Sequence, residues 1–353
     1  MGLLSTSKHR ALKVESVGKL GVRDCLLPQL HNGDILVRVR YISLNPTDGK
    51  SAELSPTLGA TSGCDFAGEV IGPEDLCRKL GFQVGDRVFG CTFGNNPYRH
   101  DNGAFAEYVA VPAKLLLHIP ETMTFQTAAT MGTGLATVGL ALYHNLQLPL
   151  PSTPTPQSMM VLVYGGGTAT GTIALQMLRL SGITPIATCS PASFSHVKSL
   201  GAAAVFDYQS PTCGDSVREY TSNTLAYAMD CITDSTSMKI CYEAIGSAGG
   251  QYVALDPFPL RVHKRRSVRP DWVIMFSQFE QKIGWQGPYD LDERPEDRSF
   301  AEGWYKLVQG LLEEGKLVGH RLEERSGGLE GARDGVKLVR DGKVKGSKLV
   351  YAV

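Results

Sequence analysis

Met159-Met-Val-Leu-Val-Tyr-Gly-Gly-Gly-Thr-Ala-Thr-Gly171 is the stretch that decides the fold. Its apolar start reads as a buried strand, Gly165, Gly166 and Gly167 as a turn, and Ala169–Leu180 as a helix. A second apolar strand, Thr184–Cys189, follows. That order is the setting of a dinucleotide site. Glycines let the backbone approach a pyrophosphate, and the helix start offers unpaired N–H groups and a positive dipole end. The fingerprint is broken in one place: in the register Gly166-x-Thr168-x-x-Gly171, Thr168 takes the second glycine position. A structural turn without ligand is the alternative reading.

The second strand ends Ala187-Thr188-Cys189-Ser190-Pro191. An NAD site has Asp or Glu there to hold the ribose 2′-hydroxyl, and none is present. Ser190 and Ser193 can donate to a 2′-phosphate and Tyr208 can close over it, which points to NADP(H). The alternative is that these serines only cap the helix that follows.

Outward from this stretch, residues 193–200 and 236–245 read as helices and 204–206, 225–232 and 251–255 as strands. The alternation implies an α/β domain with a doubly wound parallel sheet. Upstream lie short strand-like runs at 35–44, 64–71, 86–89 and 104–111, split by glycines, which read as a compact β-rich region. Residues 125–145 read as one or two helices capped by Thr124. Four prolines in the nine residues 148–156 form a stiff connector. Residues 256–300 are irregular and charged, 301–314 and 331–340 are helical, and 348–353 form a final strand. The expected domains are 1–150 completed by 311–353, and 151–310.

Composition agrees with a two-domain globular protein: 353 residues, 42 % hydrophobic and 20 % charged. Thirty-five basic and 35 acidic residues cancel, which leaves no global field for nucleic acid or an anionic membrane. No stretch approaches the roughly 20 apolar residues of a bilayer helix. The start of the chain lacks a signal-peptide core, so a cytoplasmic location is expected. Eight scattered cysteines, none in a Cys-x-x-Cys pair, are expected to be reduced thiols.

A β-rich front, a dinucleotide domain and a short return resemble the medium-chain dehydrogenase/reductase superfamily from about residue 10 onward. Cys64-Asp-Phe-Ala-Gly-Glu-Val, Val84-Gly-Asp-Arg-Val-Phe-Gly, Gly103-Ala-Phe-Ala-Glu-Tyr-Val and Gly346-Ser-Lys-Leu-Val carry the resemblance. It implies a GroES-like β-rich catalytic domain joined to a Rossmann domain. Zinc-binding members have a Cys followed by Gly-His-Glu; here Asn45 and then Gly63-Cys64-Asp65 occupy those places, and the loop of four cysteines is missing. No zinc is expected. Asn45-Pro46-Thr47-Asp48 is similar to the zinc-free quinone-reductase branch.

A narrower resemblance spans nearly the whole chain. Gly165-Gly-Gly-Thr-Ala-Thr, Gln176-Met-Leu-Arg-Leu-Ser-Gly, Pro185-Ile-Ala-Thr-Cys-Ser-Pro, Val205-Phe-Asp-Tyr, Tyr227-Ala-Met-Asp-Cys-Ile-Thr and Pro257-Phe-Pro look like the trans-acting enoyl reductases of fungal polyketide synthases, the lovastatin-pathway type. This implies an NADPH-dependent reductase of carrier-bound α,β-unsaturated thioesters. Its partner would be the acyl carrier domain of an iterative polyketide synthase or a polyketide synthase–nonribosomal peptide synthetase hybrid.

Carried over by position, the resemblance implies that Thr47, Asp48, Gly49 and Lys50 reach the cofactor. Gly167, Thr168, Ala169 and Thr170 would hold its pyrophosphate. Ser190, Pro191, Ala192, Ser193 and Tyr208 would hold the 2′-phosphate side. Leu255 and Asp256 would lie near the nicotinamide, with Asp256 standing where an asparagine is expected, and Leu349 and Val350 would close the site. Thr133, Gly134, Leu135, Ala136, Thr137, Val138, Gly139 and Leu140 would line the acyl tunnel, with Val273, Ile274, Met275, Phe276 and Ser277.

Hydride addition to the β-carbon develops charge on the thioester oxygen, which a donor must meet. Lys50 is the candidate cation for that catalytic role, against the alternative of a surface lysine pairing a phosphate. Water can deliver the α-proton. The basic run His263-Lys-Arg-Arg-Ser-Val-Arg269 reads as a solvated loop or as a docking patch for an acidic carrier domain. Two other functions stay open: a quinone or enone reductase of free small molecules, and an NADPH-binding partner protein without chemistry. A monomer is expected, because the strand at 251–255, taken as the sheet edge, runs into Pro257 and Pro259.

Overall fold

The computed structural model describes residues 8–353. The reading of the chain start falls largely on residues 1–7, outside the described residues. The chain forms two compact units, one from the described part of Met1–Thr133 with Phe276–Val353, the other from Gly134–Met275. The crossings therefore fall at 133/134 and 275/276, not at the expected 150/151 and 310/311. The reason is packing. A Cβ on Gly134 would lie 2.6 Å from Ile173 Cδ1, and the Tyr143 hydroxyl is 2.9 Å from Ser181 Oγ, so the segment before the prolines belongs with the dinucleotide sheet. On the other side, Gln309 accepts from His118 N at 2.8 Å and Lys114 pairs with Glu302 at 2.6 Å, which ties 295–313 to the first unit.

The first unit opens with the antiparallel pair β1 (Lys8–Ser16) and β2 (Lys19–Leu26). Then come β3 (Asp34–Ser43), α1 (Pro46–Leu54), β4 (Asp65–Gly72), α2 (Glu74–Lys79), β5 (Arg87–Cys91), β6 (Tyr108–Pro112) and β7 (Leu116–His118). Helix α3 (Phe125–Ala129) is capped by Thr124, whose hydroxyl accepts from Thr127 N at 3.2 Å. Helix α4 (Gly132–Val138) carries the chain across and continues as a π-helical turn, Gly139–Asn145.

The second unit alternates β8 (Met160–Tyr164), α5 (Ala169–Leu180), β9 (Thr184–Cys189), α6 (Phe194–Ser199), β10 (Ala204–Asp207), α7 (Cys213–Tyr220), β11 (Tyr227–Asp230), α8 (Ser235–Ala244), β12 (Gly250–Ala254) and β13 (Val268–Trp272). Its six strands are all parallel in the order β10-β9-β8-β11-β12-β13. The return adds α9 (Pro295–Glu313), β14 (Leu322–Arg325), α10 (Gly328–Arg340) and β15 (Lys348–Ala352) to the first unit. There β14-β15-β3-β4-β5-β7 form one sheet, with β6 also paired to β3.

Alternation places β3: Ile35, Val37 and Val39 are buried while Arg38 is exposed. Phe66, Val70, Phe105 and Leu349 complete this core. The strand β13 departs from the reading of 256–300 as irregular. Its sequence, Val-Arg-Pro-Asp-Trp, holds two charges and a proline, so it carries no apolar pattern. It covers β12, which is therefore not the edge, and the edge argument moves to β13. There Pro270 lacks a donor, and Arg269 and Asp271 are exposed. The edge still favours an unpaired sheet. Light scattering coupled to gel filtration should give a monomer of 38.1 kDa; a stable species of twice that mass would refute edge blunting.

Candidate functional site

In the second unit, Gly165 takes φ +82°, a backbone region that favours glycine. The N–H groups of Gly165 and Gly166 donate to Thr188 O at 3.1 and 2.9 Å. A Cβ on Gly166 would lie 2.7 Å from Ala187 Cβ, and one on Gly171 would lie 2.3 Å from Gly165 O, so both places admit only glycine. Thr168, the residue that breaks the fingerprint, is the N-cap of α5. Its hydroxyl accepts from Gly171 N at 3.0 Å and donates to Gly165 O at 2.8 Å. Ala169 and Thr170, the first two helical residues, have no carbonyl within the helix to bond. A Cβ on Gly167 would stand 3.3 Å from Ser193 Oγ, a tight contact, so glycine keeps that side of the turn clear. That cradle fits a pyrophosphate.

The serine-cap alternative does not hold. Ser190 and Ser193 occupy N-cap positions, yet neither side chain makes a cap bond; their hydroxyls lie 3.4 Å apart and both residues are half-buried. Pro191 and Ala192 between them are exposed. Tyr208 is exposed, its ring 6.4 Å from that of Tyr164. The nearest acid in register is Asp207, opposite Cys189 on β10, and its Oδ1 accepts from Gln209 N at 2.9 Å.

Leu255 and Asp256 follow β12 and are half-buried. Leu255 N donates to Thr233 Oγ1 at 3.2 Å. Asp230, at the end of β11, fixes that loop by accepting from Ile232 N and Thr233 N, Ser237 Oγ and Tyr252 OH. Gly134 lies against α5, and Leu135, Ala136, Thr137, Val138, Gly139 and Leu140 are buried around it. Val273 and Met275 are buried, Ile274 half-buried.

In the first unit, Thr47 and Lys50 are half-buried on α1, whereas Asp48 and Gly49 turn inward. Asp48 closes the N-terminal turn: its Oδ2 accepts from Asn45 N at 2.7 Å. A Cβ on Gly49 would meet Val336 Cγ1 at 3.2 Å, so this glycine serves packing against α10. Leu349 and Val350 have fully buried side chains, and their strand β15 lies between β14 and β3, with Leu349 O accepting from Leu44 N at 3.0 Å. Phe276 stacks on Phe93 with centroids 4.5 Å apart and meets Trp285 edge-on at 4.8 Å; Ser277 beside it is buried.

The centre of this unit was only half legible. Asp65 is fully buried and accepts five hydrogen bonds. Thr133 N and Thr133 Oγ1 donate to its Oδ1 at 2.6 and 2.7 Å. Asn45 Nδ2 at 2.9 Å, Ser43 Oγ at 3.3 Å and the Lys348 ammonium donate to its Oδ2. Ser43 shares its single hydroxyl proton with Ala129 O, the nearer acceptor at 2.7 Å, and Lys348 also donates to Thr130 O, which satisfies the carbonyls at the end of α3. Cys91 lies opposite Asp65 in register, its thiol pushed up to about 12 by burial, with Gln278 Nε2 at 3.3 Å and the Tyr305 hydroxyl at 3.5 Å. Sequence motifs assign Lys348, Tyr305 and Gln278 no part in the chemistry. The clue was an acid and a base, Asp65 and Lys348, each at the start of an otherwise mostly apolar strand, which must pair when buried. Among the described residues no three of His, Cys, Asp or Glu group as a metal site requires, and all eight cysteines are free thiols.

Residues 31–121 match the alcohol dehydrogenase GroES-like domain. The chain is 54 % identical to trans-enoyl reductase iccB of Talaromyces variabilis, covering 98 % of this chain and 96 % of that one. It is 52 % identical to trans-enoyl reductase opdC of Penicillium oxalicum, covering 100 % and 99 %. The chain belongs to the trans-enoyl reductase family. Among solved structures it is similar to the CurK enoyl reductase, with TM-score 0.75 and 16 % identity over 98 % of this chain and 99 % of that one, which shows the shared medium-chain dehydrogenase/reductase fold. This trans-enoyl reductase is thus an oxidoreductase, and no helix among its described residues is long and apolar enough to cross a membrane.

Burial raises the Asp48 carboxyl to about 7, from 3.8 ordinarily; the Asn45 N–H and a hydrogen bond with Cys64 oppose the rise. The folded state therefore binds this proton more tightly than the unfolded chain does. The stability it brings is full below about pH 4 and is lost as pH rises through about 7. Asp48→Asn removes that dependence. Thermal melts should show the wild type losing ground to Asp48→Asn from pH 5 to about 7 and a constant gap above that; a gap that does not change from pH 5 to 7 would contradict a neutral Asp48.

Proposed function

We propose that this protein reduces the α,β-double bond of an acyl chain tethered to the carrier domain of a fungal polyketide synthase or synthase–nonribosomal peptide synthetase hybrid, using NADPH. Near full-length identity above 50 % to two proteins named trans-enoyl reductases carries the reading. NADPH, when bound, supplies the hydride. Gly167, Thr168, Ala169 and Thr170 cradle the pyrophosphate, with main-chain N–H groups as donors. Ser190 and Ser193 donate hydroxyls to the 2′-phosphate. Lys50 meets the charge that develops on the thioester oxygen, and the buried residues 134–140 exclude water. A proton from solvent completes the α-carbon.

NADPH should bind at least tenfold more tightly than NADH, about 1.4 kcal/mol. Fluorescence titration decides it, and equal affinities would refute the serine argument. Ser190→Asp should repel the 2′-phosphate and narrow the gap. Turnover is tested with enoyl chains on a carrier domain and on pantetheine, following NADPH loss and product mass. Small free enones reduced far faster than either would favour a quinone or enone reductase.

Within the basic run, two members have structural work. Arg265 donates to Ile245 O at 2.8 Å and Gly246 O at 2.7 Å beyond the end of α8, and His263 Nδ1 lies 2.8 Å from the Tyr242 hydroxyl. Lys264, Arg266 and Arg269 are exposed, and 257–270 contains no acid. These three suit an acidic carrier domain. Lys264→Glu with Arg266→Glu should lower kcat/KM for the carrier-bound enoyl chain roughly tenfold, as lost steering does, and leave the pantetheine substrate unchanged. Equal loss on both substrates would refute docking there.

A further inference from the structure

We propose that Asp65 is a positioning residue for the reduction, acting through Thr133. The inference rests on the reading above and assigns a role to a side chain that has none in it. Asp65 Oδ1 takes both the N–H and the hydroxyl of Thr133, at 2.6 and 2.7 Å. Thr133 is the last residue of its segment of the first unit. Its hydroxyl proton is spent on Asp65, so this side chain can only accept from a substrate and cannot donate to it. The second oxygen of Asp65 takes Asn45 Nδ2 at 2.9 Å, and the main chain of Asn45 in turn binds Asp48 on α1. One carboxylate thereby sets both Thr133 and the start of the segment that carries Thr47 and Lys50.

Two further features fit the role. A Cβ at residue 132 would stand 2.3 Å from Gly90 O and 2.9 Å from Asp65 Oδ1, so Gly132 is what lets the chain approach the carboxylate. Lys348, itself buried, neutralises Asp65. Without that ammonium a charged carboxylate would be buried unpaired, and the contacts that hold Thr133 would not persist.

The test is a double-mutant cycle on the full chain with an enoyl pantetheine substrate, read as kcat, KM, NADPH affinity and melting temperature. Thr133→Val should lower kcat about tenfold with NADPH affinity unchanged, and Thr133→Ser should restore it. Asp65→Asn should lower kcat in the wild type but add little in the Thr133→Val background. Should Asp65→Asn fold poorly because Lys348 is stranded, Asp65→Asn with Lys348→Met removes the orphan charge, and the cycle is run on that pair. The proposal is overturned if Asp65→Asn lowers kcat equally with and without the Thr133 hydroxyl, or shifts only the melting temperature. A wild type that binds NADPH yet reduces no enoyl thioester would refute the functional reading, whereas an active wild type with uncoupled substitutions would refute only the role of Asp65.

Discussion

A buried carboxylate needs donors, and the first unit is arranged around the donors of Asp65. They come from β3 (Ser43), the N-cap of α1 (Asn45), the start of α4 (Thr133) and β15 (Lys348). These elements lie far apart in sequence, so a single side chain ties the opening, the middle and the end of the chain together. Removing one partner of such a buried pair costs about 3–5 kcal/mol, because the survivor is left charged and dry. The same demand explains the small residues nearby. Gly132 and the main chain of Gly90 come close because the carboxylate must be reached by backbone.

The second unit depends on a different constraint, the close approach of backbone to backbone at the glycine turn. Gly166 and Gly171 are fixed by contacts that no Cβ survives. Thr168 can replace the second glycine because its role is to cap α5 and hold Gly165 O. A hydroxyl at that position does locally what the fingerprint's glycine leaves to the ligand. The turn is thus fully organised by the chain itself, and the first N–H groups of α5 remain for an anion.

Family membership and these two constraints meet at the positions where zinc-binding relatives place ligands. Asn45, Cys64 and Asp65 are each engaged inside the protein: Asn45 bridges Asp48 and Asp65, the Cys64 thiol hydrogen-bonds Asp48, and Asp65 is neutralised by Lys348. Their hydrogen bonds are met by neighbouring side chains and main chain, which ties these three positions into the packing of the first unit.

Sequence alone determined what depends on short-range chemistry. The strand–turn–helix at 159–180, the lack of an acid after β9, the cap at Thr124 and the parallel alternation were legible because each is written within about twenty residues. Tertiary structure decided what depends on long-range contact. The unit boundaries moved because packing on the sheet, not proline content, assigns residues 134–156. Strand β13 was invisible because it pairs through its main chain with β12 while its side chains are charged or proline. Leu349 and Asp48 both have buried side chains, which only the packing of the first unit decides. The pairing of Asp65 with Lys348 lies 283 residues apart. No local pattern encodes which base answers a buried acid; only the folded sheet brings them together, and the cost of leaving either unpaired makes the contact specific.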